Sequence, residues 1–160
     1  GDNFICVIPT NIYGEHDNYN LEDAHVIPAL IHKCYLAKKN KEPFVVFGSG
    51  KPLRQFIYSK DLARLLLWSL LEYNKKDTLI LSVSKKKEVS IKKVATIIAE
   101  KMEYKNNMKF DVTKADGQYK KTASNKLLLK QHPNFKFIDI KEGLNNTIQW
   151  FIDNYDSCRK

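Results

Sequence analysis

The reading turns on Val7-Ile8-Pro9-Thr10-Asn11-Ile12-Tyr13-Gly14-Glu15-His16-Asp17-Asn18 and, shortly after, Ala24-His25-Val26-Ile27-Pro28-Ala29-Leu30-Ile31-His32-Lys33. A short apolar run ends at Pro9, a polar loop follows, and a helix begins near His25. Proteins of the α/β class place their chemistry at such junctions. The carboxyl end of the strand and the free N–H groups of the helix open into one crevice.

Working outward, Phe4-Ile5-Cys6-Val7-Ile8 is rich in β-branched residues and suits a strand buried on both faces of a parallel sheet. Such a strand needs neighbours on both sides. Because it opens the sequence, the expectation is a chain cut from a longer protein. Val26, Ile27, Leu30, Ile31 and Cys34 keep helical spacing, with Pro28 where a first turn tolerates it. Phe44 to Phe47 reads as a strand, Gly48-Ser49-Gly50-Lys51-Pro52 as turn chemistry, and Leu53 to Tyr58 as extended chain. Ser59 is placed as the cap of a helix whose inner face is Leu62, Leu65, Leu66, Ser69 and Leu70. Thr78 to Val83 is a further apolar run, and Ser90 caps a helix carrying Ile91, Val94, Ala95, Ile98 and Met102. Met108 to Asp111 reads as a short strand. A short helix follows Ser124, and Ile140, Leu144, Thr147, Ile148 and Phe151 mark a closing amphipathic helix.

A chain of 160 residues and 43% hydrophobic content makes one domain, or one piece of a larger one, with a real core. No apolar run approaches the roughly 20 residues of a membrane span. Cys6, Cys34 and Cys158 fit neither a disulfide framework nor zinc-ligand spacing, so no metal is expected and a reducing, cytoplasmic setting is. The net charge of +9 calls for an anionic partner or for lysines scattered over a solvated surface. A nucleic-acid-binding domain would interleave basic and aromatic residues on one face, and neither an RNP-like strand nor a recognition helix is present.

No glycine-rich phosphate loop of the G-x-G-x-x-G or G-x-x-x-x-G-K type occurs, nor a Tyr-x-x-x-Lys beside a usable Ser. These residues bind a ligand; they do not run a complete reaction by themselves. The interesting set is polar and lies mostly in loops: Asn11, His16, His25, Lys33, Arg54, Asp116 and Lys121. Arg54, just after a Gly-Ser-Gly-x-Pro turn, can present its planar fork to a diphosphate. The bland alternatives are a structural His25, a loop-stabilising His16, a turn-forming Asp116 and ordinary surface lysines.

Pro9-Thr10-Asn11-x-Tyr13-Gly14-x-His16-Asp17-Asn18, followed by Arg54-Gln55-Phe56-Ile57-Tyr58-x-x-Asp61-Leu62-Ala63, resembles the extended short-chain dehydrogenase/reductases. Within that superfamily, Pro9 to Asn18, His25 to Leu30 and Gly48-Ser49-Gly50-x-Pro52-x-Arg54, together with Asp116-Gly117-x-x-x-Lys121-Thr122, narrow the resemblance to the GDP-L-fucose synthase family. The likeness continues to Gln149-Trp150-Phe151-x-x-Asn154-Tyr155. It implies an α/β fold: the substrate-binding domain of an extended short-chain dehydrogenase/reductase with one or more leftover Rossmann elements. Residues 1–160 would form the carboxyl-terminal GDP-sugar-binding domain, with 1–24 supplying a strand and loop of the missing Rossmann half.

The resemblance also implies roles. His25 matches the general acid of epimerisation next to a ketone, a task suited to a group that titrates near neutral pH. A helix N-terminus disfavours imidazolium, so a carboxylate or ligand phosphate is needed nearby. Pro9, Thr10, Asn11 and Ile12, with His25, would line the cofactor; Asn11, Lys33, Phe47, Arg54, Asp116 and Lys121 would contact the substrate. Lys33 stands where the family usually has Arg, and Phe47 where bacterial members carry Trp. NADP(H) would be held mainly by the missing amino-terminal half. The parent would be a cytoplasmic homodimer that turns GDP-4-keto-6-deoxy-D-mannose into GDP-L-fucose, without nucleic-acid or membrane partners, and the piece alone inactive. A nucleotide-sugar epimerase or dehydratase with another substrate is the alternative.

Overall fold

The computed structural model describes residues 4–160. Thirteen elements run in the order β1 (Val7–Pro9), β2 (Asn11–Tyr13), α1 (Val26–Asn40), β3 (Phe44–Phe47), β4 (Leu53–Arg54), β5 (Phe56–Tyr58), α2 (Ser59–Leu71), β6 (Leu79–Leu81), β7 (Val89–Ser90), α3 (Ile91–Lys101), β8 (Met108–Asp111), α4 (Lys126–Gln131) and α5 (Ile140–Asp153). The strands pair as parallel β1·β6, β2·β5 and β3·β8, and antiparallel β4·β7. This is the expected α/β class, built from two-stranded pieces.

Two apolar clusters hold the chain together. The larger packs α1, α3 and α5 around β3, through Ile31, Phe44, Ile98, Leu144 and Phe151. The smaller gathers β1, α2, β6 and α4 around Leu65, Leu79, Leu81 and Leu128. Helix α3 forms as the sequence directs: Ser90 Oγ accepts from the Lys93 N–H (3.1 Å), satisfying a donor that the first turn leaves free.

Four expectations need correction. The strand at the start of the chain covers Val7–Pro9 rather than Phe4–Ile8, and it is not buried on both faces: Ile5 and Val7 pack inward, while Phe4, Cys6 and Ile8 face out. Strand pleating explains the alternation, because among the described residues β1 pairs with β6 alone. Second, the loop after Pro9 contains β2. Asn11-Ile12-Tyr13 has no strand signature of its own, and only pairing with Phe56–Tyr58 makes it one. Third, Ser59 is the first residue of α2 rather than its cap; Tyr58 holds the cap position and makes no side-chain bond there.

Fourth, the buried arc of α2 is Asp61, Leu62, Leu65 and Ser69, leaving Leu66 41% and Leu70 77% exposed. Leucines nearly encircle this helix, so periodicity could not choose a face. The Asp61 carboxylate does, by accepting the Ile138 N–H (2.8 Å) inside the protein.

Gly143 in α5 is a packing requirement. A Cβ there would lie 2.2 Å from Tyr13 Oη and 3.3 Å from Tyr58 Cγ, both on buried rings. Alanine is favoured over glycine in a helix interior by about 1 kcal/mol, but overpacking costs about 1–3 kcal/mol. The clash should win: Gly143→Ala is expected to lower the urea midpoint, and an unchanged or raised midpoint would show that the Tyr13 ring can shift aside.

Candidate functional site

The site grows from the pairing of β2 with β5. Its register sets Asn11 opposite Phe56, so Asn11 arrives beside Arg54 and Gln55. Asn11 Nδ2 donates to the Gln55 carbonyl (2.9 Å). Gln55 is fully buried, and its amide is fully used: Nε2 donates to the Val83 carbonyl (2.7 Å) and the Ala123 carbonyl (3.1 Å), while Oε1 accepts the Ala123 N–H (2.7 Å). Sequence reasoning did not single out Gln55. The available signal was an amide in a run of apolar strand residues, which is tolerated only when its bonds are satisfied.

A cavity of about 220 Å³ results. Asn11 and Val26 form one side, Phe47, Arg54 and Ile91 another, and Ala115 to Gly117 the outer wall. Four predicted residues therefore meet: Asn11, Phe47, Arg54 and Asp116. Arg54 is half-buried, and its Nη1 donates to the Leu53 carbonyl (2.7 Å). Among the described residues no carboxylate pairs with it. A cation in a hollow without a counter-ion is a ready site for an anion. Lys33 comes in from α1, its Nζ 3.9 Å from the centroid of the Phe47 ring. Burial pulls the ammonium of Lys33 below the usual lysine range.

His25 lines the adjoining cleft of about 310 Å³, together with Ile12, Glu15, Asp17 and Ser59. Asn11 and Val26 line the first hollow and their chain neighbours Ile12 and His25 the second, so both are built on the same strand and the same helix start. His25 holds the cap position of α1 with extended backbone and no side-chain capping bond, so its ring stays exposed. Asp17 is one of two carboxylates that line the same cleft. Burial pushes its carboxyl up, partly countered by the Asn18 N–H and the nearby charge of His25. Glu15, in the same cleft, is clamped by Tyr58 Oη (2.7 Å) and Lys60 Nζ (2.9 Å).

The other predicted residues divide. Thr10 Oγ1 donates to Ser82 Oγ (3.1 Å), and its N–H donates to the Leu81 carbonyl (3.3 Å); with Pro9 it ends β1 beside β6. His16 sits at positive φ (64°) with its ring 4.4 Å from that of Trp150, the loop-stabilising role. Lys121 is exposed and lies outside the cavity lining. On either side of it, Lys120 and Thr122 both turn to Glu88. A separate cavity of about 230 Å³ beside Phe56, Val89, Phe137 and Ile140 gathers none of the predicted site residues. Among the described residues no three His, Cys, Asp or Glu gather as a metal-holding group, and no helix is long and apolar enough to cross a membrane.

Asp116 is a latch. Its carboxylate accepts the Ser49 N–H (2.8 Å) and the Ser49 hydroxyl (2.6 Å), tying the outer wall to the Gly48-Ser49-Gly50 turn. Gly48 has φ +81°, and a Cβ there would lie 2.3 Å from Asp116 Oδ1, so the turn demands glycine. The bonds from Ser49 hold the Asp116 carboxyl below the usual range. A group so lowered stabilises the latch above its unfolded pKa of about 3.9 and loses that effect as pH falls through the folded value. The Ser49 amide proton should therefore titrate below about pH 3.9 by NMR. The titration should vanish in Asp116→Asn; a midpoint at or above the ordinary value would mean the latch is not held.

Residues 1–83 match the model of the NAD dependent epimerase/dehydratase family. The whole chain is 55% identical to a GDP-L-fucose synthase of Dictyostelium discoideum, covering 50% of that protein. It is 43% identical to a probable GDP-L-fucose synthase of Drosophila melanogaster over 98% of this chain and 51% of the relative. A crystal structure of a GDP-L-fucose synthetase from Naegleria fowleri bound to NADP superposes with a TM-score of 0.94 at 51% identity, over 96% of this chain and 46% of that one. The chain spans about half the length of the curated relatives it matches. With a family model that matches more than half of its residues, and with the same fold, the chain belongs to the NAD dependent epimerase/dehydratase family.

Proposed function

We propose that this chain is the sugar-nucleotide half of an NADPH-dependent epimerase-reductase that converts GDP-4-keto-6-deoxy-D-mannose to GDP-L-fucose. One observation carries the reading: Arg54, without a carboxylate partner among the described residues, lines the same cavity as Asn11 and Phe47. The diphosphate of a GDP-sugar meets the Arg54 guanidinium and the Lys33 ammonium. The hexose extends past Asn11 and Val26 toward His25. There His25, with Asp17 in the same cleft, delivers a proton to the carbon next to the ketone while a base on the opposite face removes one. Epimerisation inverts a centre, so acid and base must stand on opposite faces of the sugar.

A bound NADP(H) would supply the hydride that reduces the ketone. The residues here fit only its edge. Asn11 and Ile12 line the two hollows, Pro9 and Thr10 line neither, and no glycine-rich phosphate loop occurs in the sequence. The names of the relatives, one of them solved with NADP, support this assignment. So does the smaller core: β1, α2, β6 and α4 pack with one another, as the remnant of a nucleotide-binding half would, and reach well beyond residue 24. A homodimer and a cytoplasmic setting belong to the same proposal.

Calorimetric titration of the 160-residue chain should show GDP binding more tightly than UDP or dTDP. Arg54→Ala should weaken GDP about 10- to 100-fold, the worth of bonds to a charged group. Equal affinity for the three nucleotides would favour an epimerase or dehydratase with another sugar nucleotide. In a two-domain protein bearing this chain, His25→Gln should keep GDP-sugar binding and lose about 10²-fold or more in epimerisation; unchanged turnover would remove His25 from the mechanism.

A further inference from the structure

Phe47 is 55% exposed at the end of a strand whose Phe44 and Val46 are buried. Pleating accounts for its outward direction, but not for a large aromatic ring in that place. What covers it is charge. Lys33 Nζ, from α1, lies 3.9 Å from the ring centroid, and Lys114 Nζ, from the loop after β8, lies 5.9 Å from it. Both approaches follow from the fold. Helix α1 packs on β3, and β3 pairs with β8 so that Phe47 stands opposite Asp111, three residues before Lys114.

We propose that Phe47 is a positioning residue, a platform that holds Lys33 and Lys114 as two cationic arms at the rim of the Arg54 cavity, where they grip the phosphates of the nucleotide. This rests on the sugar-nucleotide reading above and adds Lys114, which no motif marked.

The chemistry favours it. The face of an aromatic ring carries negative potential and attracts an ammonium group. It also replaces part of the water that a half-buried Lys33 gives up. A lysine without such a platform spreads its charge over many rotamers and binds a phosphate poorly; Arg avoids this by its rigid fork. Here an aromatic platform does for Lys what the planar guanidinium does for Arg. The neighbouring carboxylates are already engaged: Asp116 by Ser49, and Asp111 by the Thr113 N–H (3.0 Å) and hydroxyl (2.6 Å), though Lys114 also feels the charge of Asp111. A third cation, Arg54, lines the same cavity as Phe47.

The test is NMR on the 160-residue chain with 13C-labelled lysine side chains, combined with GDP and pyrophosphate titrations. Before any ligand is added, the Lys33 ε-methylene should be shifted upfield by the Phe47 ring current. The shift should vanish in Phe47→Leu and return in Phe47→Tyr. GDP and pyrophosphate should each move the signals of both Lys33 and Lys114. Phe47→Leu should weaken GDP about 3- to 20-fold, with rescue by Phe47→Tyr, and Lys114→Gln should weaken it by a similar factor while flattening its salt dependence. A wild-type Lys33 signal without ring-current shift, a Lys114 signal that stays fixed on titration, or full affinity in Phe47→Leu would each overturn the platform. If those failures occur while Arg54→Ala still weakens GDP binding as expected, the sugar-nucleotide reading stands alone. If the wild-type chain binds neither GDP nor pyrophosphate, both fall.

Discussion

The register of two three-residue strands governs the site. Asn11 opposite Phe56 is the pairing on which the cavity depends, because it brings the end of the first apolar run against the chain that carries Arg54. Neither strand would persist alone, since an isolated two-stranded pair is marginal in water. The Asn11 to Gln55 bond and the three further bonds of the Gln55 amide lock the pair and reach Val83 and Ala123. Because Gln55 is fully buried, losing any of these bonds would leave a desolvated polar group, a cost well above the worth of an average hydrogen bond. A slip of one residue would turn Asn11 away from the cavity and set it against the core.

Around this lock, polar residues divide between holding the scaffold and facing the hollow. Asp116, Glu15 and Asp61 are carboxylates spent on structure: one pins a turn, one is clamped by Tyr58 and Lys60, and one directs a helix face. The cations are the reverse. Arg54, Lys33 and Lys114 have no ion pair among the described residues; Arg54 lines the cavity, and the two lysines approach the ring of Phe47 in its wall. A net charge of +9 is thus partly focused, even though most lysines are dispersed over the surface. The exposed apolar side chains are less even. Phe4, Ile8, Leu67, Leu70 and Leu71 surround the smaller core, where among the described residues β1 pairs with β6 alone.

Residue chemistry and spacing alone determined the helices α1, α3 and α5, the strands β3 and β8, the Ser90 cap and the α/β class, because each rests on interactions within a few residues. Arg54 and Asn11 were legible as candidates, and both line one cavity, for a related reason, since a turn or strand end advertises side chains that need no core. Tertiary structure decided everything that depends on distant pairing. It made β2 a strand, chose the buried arc of α2, exposed Cys6, put Gln55 at the centre, left Lys121 outside the cavity lining and brought Lys114 to Phe47. The division has a physical cause. Local periodicity reports which faces a segment could bury, whereas burial itself and the satisfaction of buried polar groups are settled only when remote segments meet.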